Sequence, residues 1–289
     1  MNKKDDTMVT KSVSKKDNPL ISVVMSAYNI EKYIRAAIES ILNQTFEKFE
    51  FIIMNNGSTN KTLEIIKSYA KRDSRIKVFS NDTTLIAASS LNKGISLAST
   101  NIIARMDGDD IALPNRLELQ YRLINSSPNI AVVGANVIIM DVDGNETAIR
   151  SYPDSDEKLK KCLFKYSPFA HPVVMFKKDM FEKVGGYNPK YLSTEDLDLW
   201  FKLGSKYKFA SIKKPLLKYR ISETSSSHSM LKDLEILVFK VRFNAIIKLG
   251  YRPNISDIIY NLMQFITLWL TPASYRIKIY NLLRNNGLI

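Results

Sequence analysis

Cysteine is nearly absent from this chain. Its 289 residues contain one, Cys162, and two histidines, His171 and His228. A lone thiol excludes an intramolecular disulfide framework and any multi-cysteine zinc or iron–sulfur site. Two histidines leave little material for a histidine-rich metal centre. Long apolar runs are missing as well. No stretch reaches the roughly 18–20 uninterrupted apolar residues of a spanning helix. Residues 1–18 carry no apolar run of signal-peptide length and read as a disordered tail, so the expected location is cytoplasmic. Acidic side chains are scarce in one region only. Residues 201–289 hold 15 basic and 4 acidic ones, against 27 and 25 in residues 1–200. The formal charge of +13 thus sits mostly in the last third. That distribution suits a membrane-surface anchor at least as well as a nucleic-acid binder.

What is present alternates between two periods. Residues 20–26 (LISVVMS), 49–54 (FEFIIM), 76–79 and 101–106 are apolar runs of strand length. Between them, apolar residues recur at helical spacing: Ile34, Ile38, Ile41 and Leu42 after a candidate N-cap at Asn29, then Leu63, Ile66 and Tyr69, then residues 85–98. This pattern predicts an α/β fold, a doubly wound and mostly parallel sheet covered on both faces. Pro114 predicts the first turn of a helix running to Asn125. Residues 131–140 and 146–152 flank Asp143-Gly144, a hairpin signal that adds antiparallel strands. A strand at 173–176, a Gly185-Gly186 turn, a helix from Glu195 to Ser205 and a strand at 216–221 complete the pattern. Ser-rich 222–229 reads as a linker into a helical tail.

In a doubly wound sheet, ligands bind at the carboxyl ends of the strands. Asn55-Asn56-Gly57-Ser58-Thr59 and Asp107-Gly108-Asp109-Asp110 both fall at such ends. In extended backbone Asp107 and Asp109 project to one side, where two carboxylates can hold magnesium or manganese. An Asp-rich turn is the competing reading, since Asp and Gly dominate turns for local hydrogen-bonding reasons. Ser193-Thr194-Glu195-Asp196 likewise reads as a helix start, with Ser193 or Thr194 as N-cap and acids suited to the helix dipole. For Asp196 that position lowers the carboxyl pKa, while apolar Leu197, Leu199 and Trp200 push it up by desolvation.

The ordered series ISVVMSAYN, ILNQTFEKFEFIIMNNGST, SLNKGI, RMDGDD with LPNRL, AHPVVMF, VGGYNP and TEDLDLWFKL resembles glycosyltransferase family 2. It is most similar to the bacterial members that build O-antigen, capsule and lipooligosaccharide chains, and covers residues 20–222. The resemblance implies a GT-A fold and an inverting, metal-dependent enzyme of hexosyl- or N-acetylhexosaminyl-transferase type. It implies transfer from a nucleotide sugar to a lipid-linked or glycan acceptor in surface polysaccharide synthesis. By the same resemblance Ser26 and Tyr28 meet the nucleotide, Asn56 reads the base, and Asp107 contacts the ribose or the metal. Asp109 binds the metal, Asp110 supports the loop, and Asp196 is the general base.

Two departures from the family pattern stand out. Asn55-Asn56 replaces the usual aspartate pair; an asparagine amide can still accept from and donate to a uracil ring, so a UDP-sugar is the favoured donor. Ser222 stands where relatives have a histidine near the metal, with His228 six residues on. His171, beside Pro172, faces either the acceptor or a structural hydrogen bond. A non-catalytic nucleotide-binding or scaffold protein on the same fold is the alternative reading. A sugar nucleotidyltransferase is a third; SAYNIEKY in place of a glycine-rich phosphate loop counts against it.

The expected domains are a tail at 1–18, a GT-A domain at 19–222 and a basic helical extension at 223–289. Within the extension, Ile258, Ile259, Leu262, Met263, Phe265, Ile266, Trp269 and Leu270 share one face of a helix, with Asn261, Gln264, Thr267 and Leu268 opposite. This face packs either on an anionic membrane or on the catalytic domain. The partners expected are a donor, an acceptor and an anionic membrane surface, without nucleic acid. The expected site is peripheral, on the cytoplasmic face of the inner membrane.

Overall fold

The computed structural model describes residues 18–81, 84–221, 231–272, 275–276, 278–280 and 282. The described chain opens with three strand–helix units followed by a fourth strand. They comprise β1 (Ile21–Ala27), α1 (Ile34–Leu42), β2 (Phe49–Asn55), α2 (Thr62–Ala70), β3 (Ile76–Ser80), α3 (Ala87–Ser96) and β4 (Ile102–Asp107). Next come β5 (Ile111–Ala112), α4 (Arg116–Ile124) and the hairpin of β6 (Ile130–Met140) and β7 (Glu146–Arg150). Then follow α5 (Asp156–Cys162), a 3-10 turn at His171–Val173, β8 (Met175–Lys177), α6 (Lys178–Lys183), α7 (Glu195–Gly204) and β9 (Lys208–Arg220). Two helices, α8 (Leu231–Leu249) and α9 (Ile255–Leu270), come last among the full-length elements.

These nine strands form one sheet in the order β3-β2-β1-β4-β8-β6-β9-β5, with β7 paired to β6. β1, β2, β3 and β4 run parallel; β8 is antiparallel to both β4 and β6. The expected parallel sheet with antiparallel additions is therefore the observed one. Helices cover both faces, which is why the strands are apolar throughout instead of alternating. Val23, Met25, Phe51 and Ile53 point into the core beneath α1, α2 and α4, while Val24, Ile52 and Met54 point into the core beneath α3 and α7. Gly94 allows α3 to lie flat on the sheet. A Cβ there would stand 2.8 Å from Val24 Cγ1 and 2.9 Å from Met54 Cγ.

Several local expectations are corrected by the packing. Asn29 is not the cap of α1. It adopts φ 51° in the turn leaving β1, and Tyr33 holds the cap position. Pro114 precedes α4 by two residues, and its carbonyl accepts from Thr45 N–H. β9 begins eight residues before its expected start, because its first half pairs in parallel with β6. The tail at 1–18 and the linker at 222–229 fall almost entirely outside the described residues.

The tail helix α9 begins with a reciprocal cap: Asn254 Oδ1 accepts from Asp257 N–H, and Asp257 Oδ2 accepts from Asn254 N–H. Its apolar face does not pack on the catalytic domain. The polar stripe turns inward: Asn261 donates to Phe164 O and, with Gln264, accepts from the buried Arg242 of α8. Ile258, Ile259, Leu262, Met263, Phe265, Ile266, Trp269 and Leu270 are all exposed, and Leu268 is buried. No helix among the described residues is long and apolar enough to cross a membrane.

Candidate active site

The chain leaves β1 toward β2 on one side, while β4 lies on the other, so the crevice of this sheet opens between the ends of β1 and β4. Ser26 and Asp107 are register partners across that boundary, and Ser26 pairs with Met54 on its other side. Tyr28, next along, is 48% exposed, its ring free to cover a ligand. Asn29 ties the two loops together: its Oδ1 accepts from Thr59 N–H at 2.9 Å, and its own N–H donates to Ser58 Oγ at 3.1 Å.

Asn56 is buried at the end of β2, and its amide is largely engaged. Its Oδ1 accepts from Leu85 N–H and Asn81 Nδ2, and its Nδ2 donates to Leu85 O. Both carbonyl lone pairs are filled; one amide N–H remains. Lys93 holds Asn81 in place from α3, while Asn92 exchanges two hydrogen bonds with the backbone of Tyr187. The SLNKGI segment thus fastens the wall of this crevice.

Asp107, Asp109 and Asp110 converge, with ligand oxygens all within 4.8 Å of one another. The cause differs from simple strand alternation. β4 ends at Asp107 and the next residues turn, Asp110 N–H reaching back to Asp107 O, so all three carboxylates gather. Asp110 is buried; its Oδ1 accepts from the N–H of Arg220, and its Oδ2 has no partner among the described residues. Burial, and then the charge of Asp107, push Asp109 up to about 6 and Asp110 well above the ordinary carboxylate range. Added positive charge would offset the crowding that raises Asp109 and Asp110. Oxygen donors at this spacing fit a hard divalent cation.

Three arginines support the turn. Arg105, two residues before Asp107 and on the same side of β4, donates from Nη1 to Asp107 Oδ2 at 2.7 Å. Arg220 donates from Nε to Asp109 O at 2.9 Å and lies 4.2 Å from the Tyr33 ring centroid. Arg116 is fully buried beneath the loop, donating to Arg105 O and to Gln120. The LPNRL segment therefore braces the strand that carries the acidic turn.

Asp196 lies in the first turn of α7, after Ser193 at φ 58°. Thr194 holds the N-cap position but makes no side-chain capping bond. Asp196 Oδ1 accepts from Leu197 N–H at 2.7 Å, and Oδ2 from Ser167 Oγ at 3.4 Å. Of the two opposing effects on its pKa, burial wins: the carboxyl is raised despite the backbone bond and the charge of Arg105. Glu195 beside it is pushed up to about 7 by burial and by Asp196. His171 hydrogen-bonds Tyr187 at 2.7 Å, and burial drives its pKa far down. Its ring also packs edge-on against Tyr187 and Trp200.

Asp196 opens onto a groove of about 670 Å³ between α7 and the tail helices. Its walls include Ser167 and Thr194 on one side, and Val238, Arg242, Gln264 and Tyr280 on the other. Of the residues expected from sequence, Ser26, Tyr28, Asn56, Asp107 and Asp109 lie at the ends of β1, β2 and β4, and Asp196 lies in the first turn of α7. Ser222 and His228 lie outside the described residues. Arg105 and Arg220 were not anticipated. The signal for Arg105 was available, since residue i−2 of a strand shares the face of residue i; that for Arg220 was not, because its partners lie about 80 and 110 residues away.

The family model described as glycosyl transferase family 2 matches residues 22–185. An uncharacterized glycosyltransferase of Methanocaldococcus jannaschii is 38% identical over 226 residues, covering 76% of this chain and 77% of its own. The O-antigen biosynthesis glycosyltransferase WbnJ of Escherichia coli is 34% identical over 227 residues, covering 77% and 88% respectively. Among solved structures, S. aureus TarS 1-349 in complex with UDP-GlcNAc superposes with TM-score 0.68 at 18% identity, over 86% of this chain and 73% of that one. The mannosyltransferase PcManGT of Pyrobaculum calidifontis, in complex with GDP-Man and Mn2+, gives TM-score 0.58 at 15% identity, over 87% and 70%. The fold is the GT-A fold expected from the motifs.

Proposed function

The chain belongs to glycosyl transferase family 2, and from that premise we propose that it is an inverting, metal-dependent enzyme of surface polysaccharide synthesis. It is a glycosyltransferase; the donor in this proposal is a nucleotide sugar, with UDP favoured, and the acceptor a lipid-linked or glycan hydroxyl. The observation that carries it is the convergence of Asp107, Asp109 and Asp110 at the β1/β4 crevice. The UDP-GlcNAc complex of TarS and the Mn2+ and GDP-Man complex of PcManGT support a nucleotide-sugar donor and a metal. The O-antigen role of WbnJ supports the pathway class.

The ring of Tyr28 lies against the base, and Asn56 offers its remaining amide N–H to a base carbonyl. Ser26 and Asp107 meet the ribose side of the nucleotide. Asp109 and Asp107 hold manganese or magnesium, which when bound supplies Lewis-acid stabilisation of the diphosphate charge. Asp196 takes the proton of the acceptor hydroxyl as its oxygen bonds the anomeric carbon. The anomeric bond to the diphosphate breaks from the opposite face, and the nucleoside diphosphate leaves with the electron pair. A raised pKa suits Asp196 to this, because a base nearer the working pH holds the transferred proton better.

The exposed apolar face of α9 supports a peripheral position on an anionic membrane, and the cytoplasmic face of the inner membrane is the proposed side. No nucleic acid is involved. A thermal-shift panel of UDP, GDP, dTDP and CMP with manganese tests the donor reading. A ligand at 100 times its dissociation constant stabilises by about 2.7 kcal/mol. Absence of stabilisation by every nucleotide sinks it, as does turnover within about tenfold of wild type in both Asp109→Ala and Asp196→Ala.

A further inference from the structure

The first turn of α7 divides two spaces. Thr194 and Asp196 border the groove toward the tail helices, Glu195 borders a separate pocket of about 170 Å³ toward α3, and Ser193 touches both. Successive helical residues point about 100° apart, so two adjacent acids serve different spaces. The pocket is lined by Ile86 and Ala88 at the start of α3, Pro189 and Leu192 in the loop before α7, and Leu234 of α8. Ile86 and Leu192 are 39% and 40% exposed, so two of its apolar walls still meet solvent. An apolar cavity of about 150 Å³ takes in a benzene-sized group.

One wall is polar. Glu195 is 7% exposed. Among the described residues its carboxyl accepts from its own backbone N–H alone, and Arg105 acts on it without pairing. A buried carboxyl with spare acceptor capacity calls for a donor. The pocket is also tied to the nucleotide side of the site. Ile86 follows Leu85, whose N–H and C=O both bond the amide of Asn56, and Ala88 packs in one core with Val24 and Met54.

We infer that this pocket receives the acyl group of an N-acetylated hexosamine donor, with Glu195 accepting its amide N–H. The inference rests on the glycosyltransferase reading of Asp196 and names the sugar class of its donor. In that mechanism the nucleotide stands at Asn56 and Asp107 and the acceptor hydroxyl meets Asp196. The sugar lies between them, and a substituent directed away from the groove enters the pocket beside Glu195. A hydroxyl there would satisfy Glu195 but leave the apolar walls uncovered. A ring methyl would cover the walls but leave the carboxyl without a donor. An acetamido group does both: its N–H meets Glu195, and its methyl lies on Ile86 and Leu192.

The test uses the full chain with manganese. Calorimetry measures the binding of UDP, UDP-glucose, UDP-N-acetylglucosamine, UDP-galactose and UDP-N-acetylgalactosamine. Within each pair of sugars the only difference is an acetamido group in place of a hydroxyl. In at least one pair the acetamido member should bind tenfold tighter or more, since a fitted apolar group gives about 10–200-fold. A smaller advantage in both pairs overturns the acyl pocket, while UDP binding leaves the donor reading standing. Failure of wild type to bind UDP overturns the donor reading, and this inference with it. Ala87 lines the pocket at an exposed position of α3, so Ala87→Leu fills the space from outside the core. It should cut the acetamido advantage to under about twofold and keep UDP affinity within about twofold. A folded Ala87→Leu that retains the advantage overturns the assignment. If that variant fails to fold by circular dichroism, Leu192→Ala decides: the advantage should fall by about threefold or more, and an unchanged advantage overturns the pocket.

Discussion

Arg105 and Asp107 stand two residues apart on the last strand before the acidic turn, and their side chains pair at 2.7 Å. This places one nearly buried cation close to a group of buried carboxylates. Its charge opposes the desolvation that raises Asp109, Asp110, Glu195 and Asp196. In the proposed mechanism Arg105 thus links Asp107 electrostatically to Asp196.

Replacing Arg105 with Gln is expected to lower kcat/KM by about 10–100-fold. Removing the cation raises the pKa of Asp196 further, so the acid limb of the pH profile should move to higher pH. A pH–rate profile on wild type and variant checks both. An unshifted limb would restrict Arg105 to holding Asp107.

Asp196→Asn keeps the shape of the first turn of α7 but cannot accept a proton. Turnover should fall by about 10²–10⁴-fold, while UDP affinity stays within about twofold. Single-turnover kinetics beside calorimetry separates the two. Loss of UDP binding together with turnover would mean that Asp196 shapes the donor site instead.

Glu195 gives a stability prediction with a definite sign. Its ordinary pKa is near 4.5, and in the folded chain it is pushed up to about 7, chiefly by burial. The folded state therefore holds this proton more tightly than the unfolded chain. Its contribution is full below pH 4.5 and is lost as pH rises through 7. Glu195→Gln should be more stable than wild type at pH 8 by on the order of 2 kcal/mol, with the gap closing toward pH 4.5. Urea denaturation at the two pH values measures it.

The outward face of α9 predicts lipid binding without a role in folding. Ile259 and Trp269 are 57% and 59% exposed. The double change Ile259→Glu with Leu262→Glu, the latter also 57% exposed, should leave the melting temperature within about 2 °C, since surface changes away from special features cost little. Flotation with anionic liposomes should fall several-fold. Equal flotation of the two forms would exclude this face as the contact.

Much of the sheet was legible because its strands are buried on both faces: 49–54 and 101–106 could only be strands of a covered parallel sheet, and both are. β9 was half legible. Its first half, KFASIKKP, alternates irregularly and owes its strand state to pairing with β6. Asn29 was misjudged because a short polar side chain suits a helix cap and a left-handed turn equally well, and only the loop at Ser58 and Thr59 selects the turn.

For α9 the sequence determined the amphipathic stripe and the excess of positive charge. Which face turned inward was decided in three dimensions. Arg242, nineteen and twenty-two residues from Asn261 and Gln264, is buried and needs hydrogen-bond acceptors, and those two amides provide them. Burying the apolar stripe instead would have left the guanidinium without these partners. The acidic turn divides in the same way. RMDGDD placed its carboxylates at the end of a strand, but the turn after Asp107 and the distant backbone of Arg220 brought the third one into the cluster.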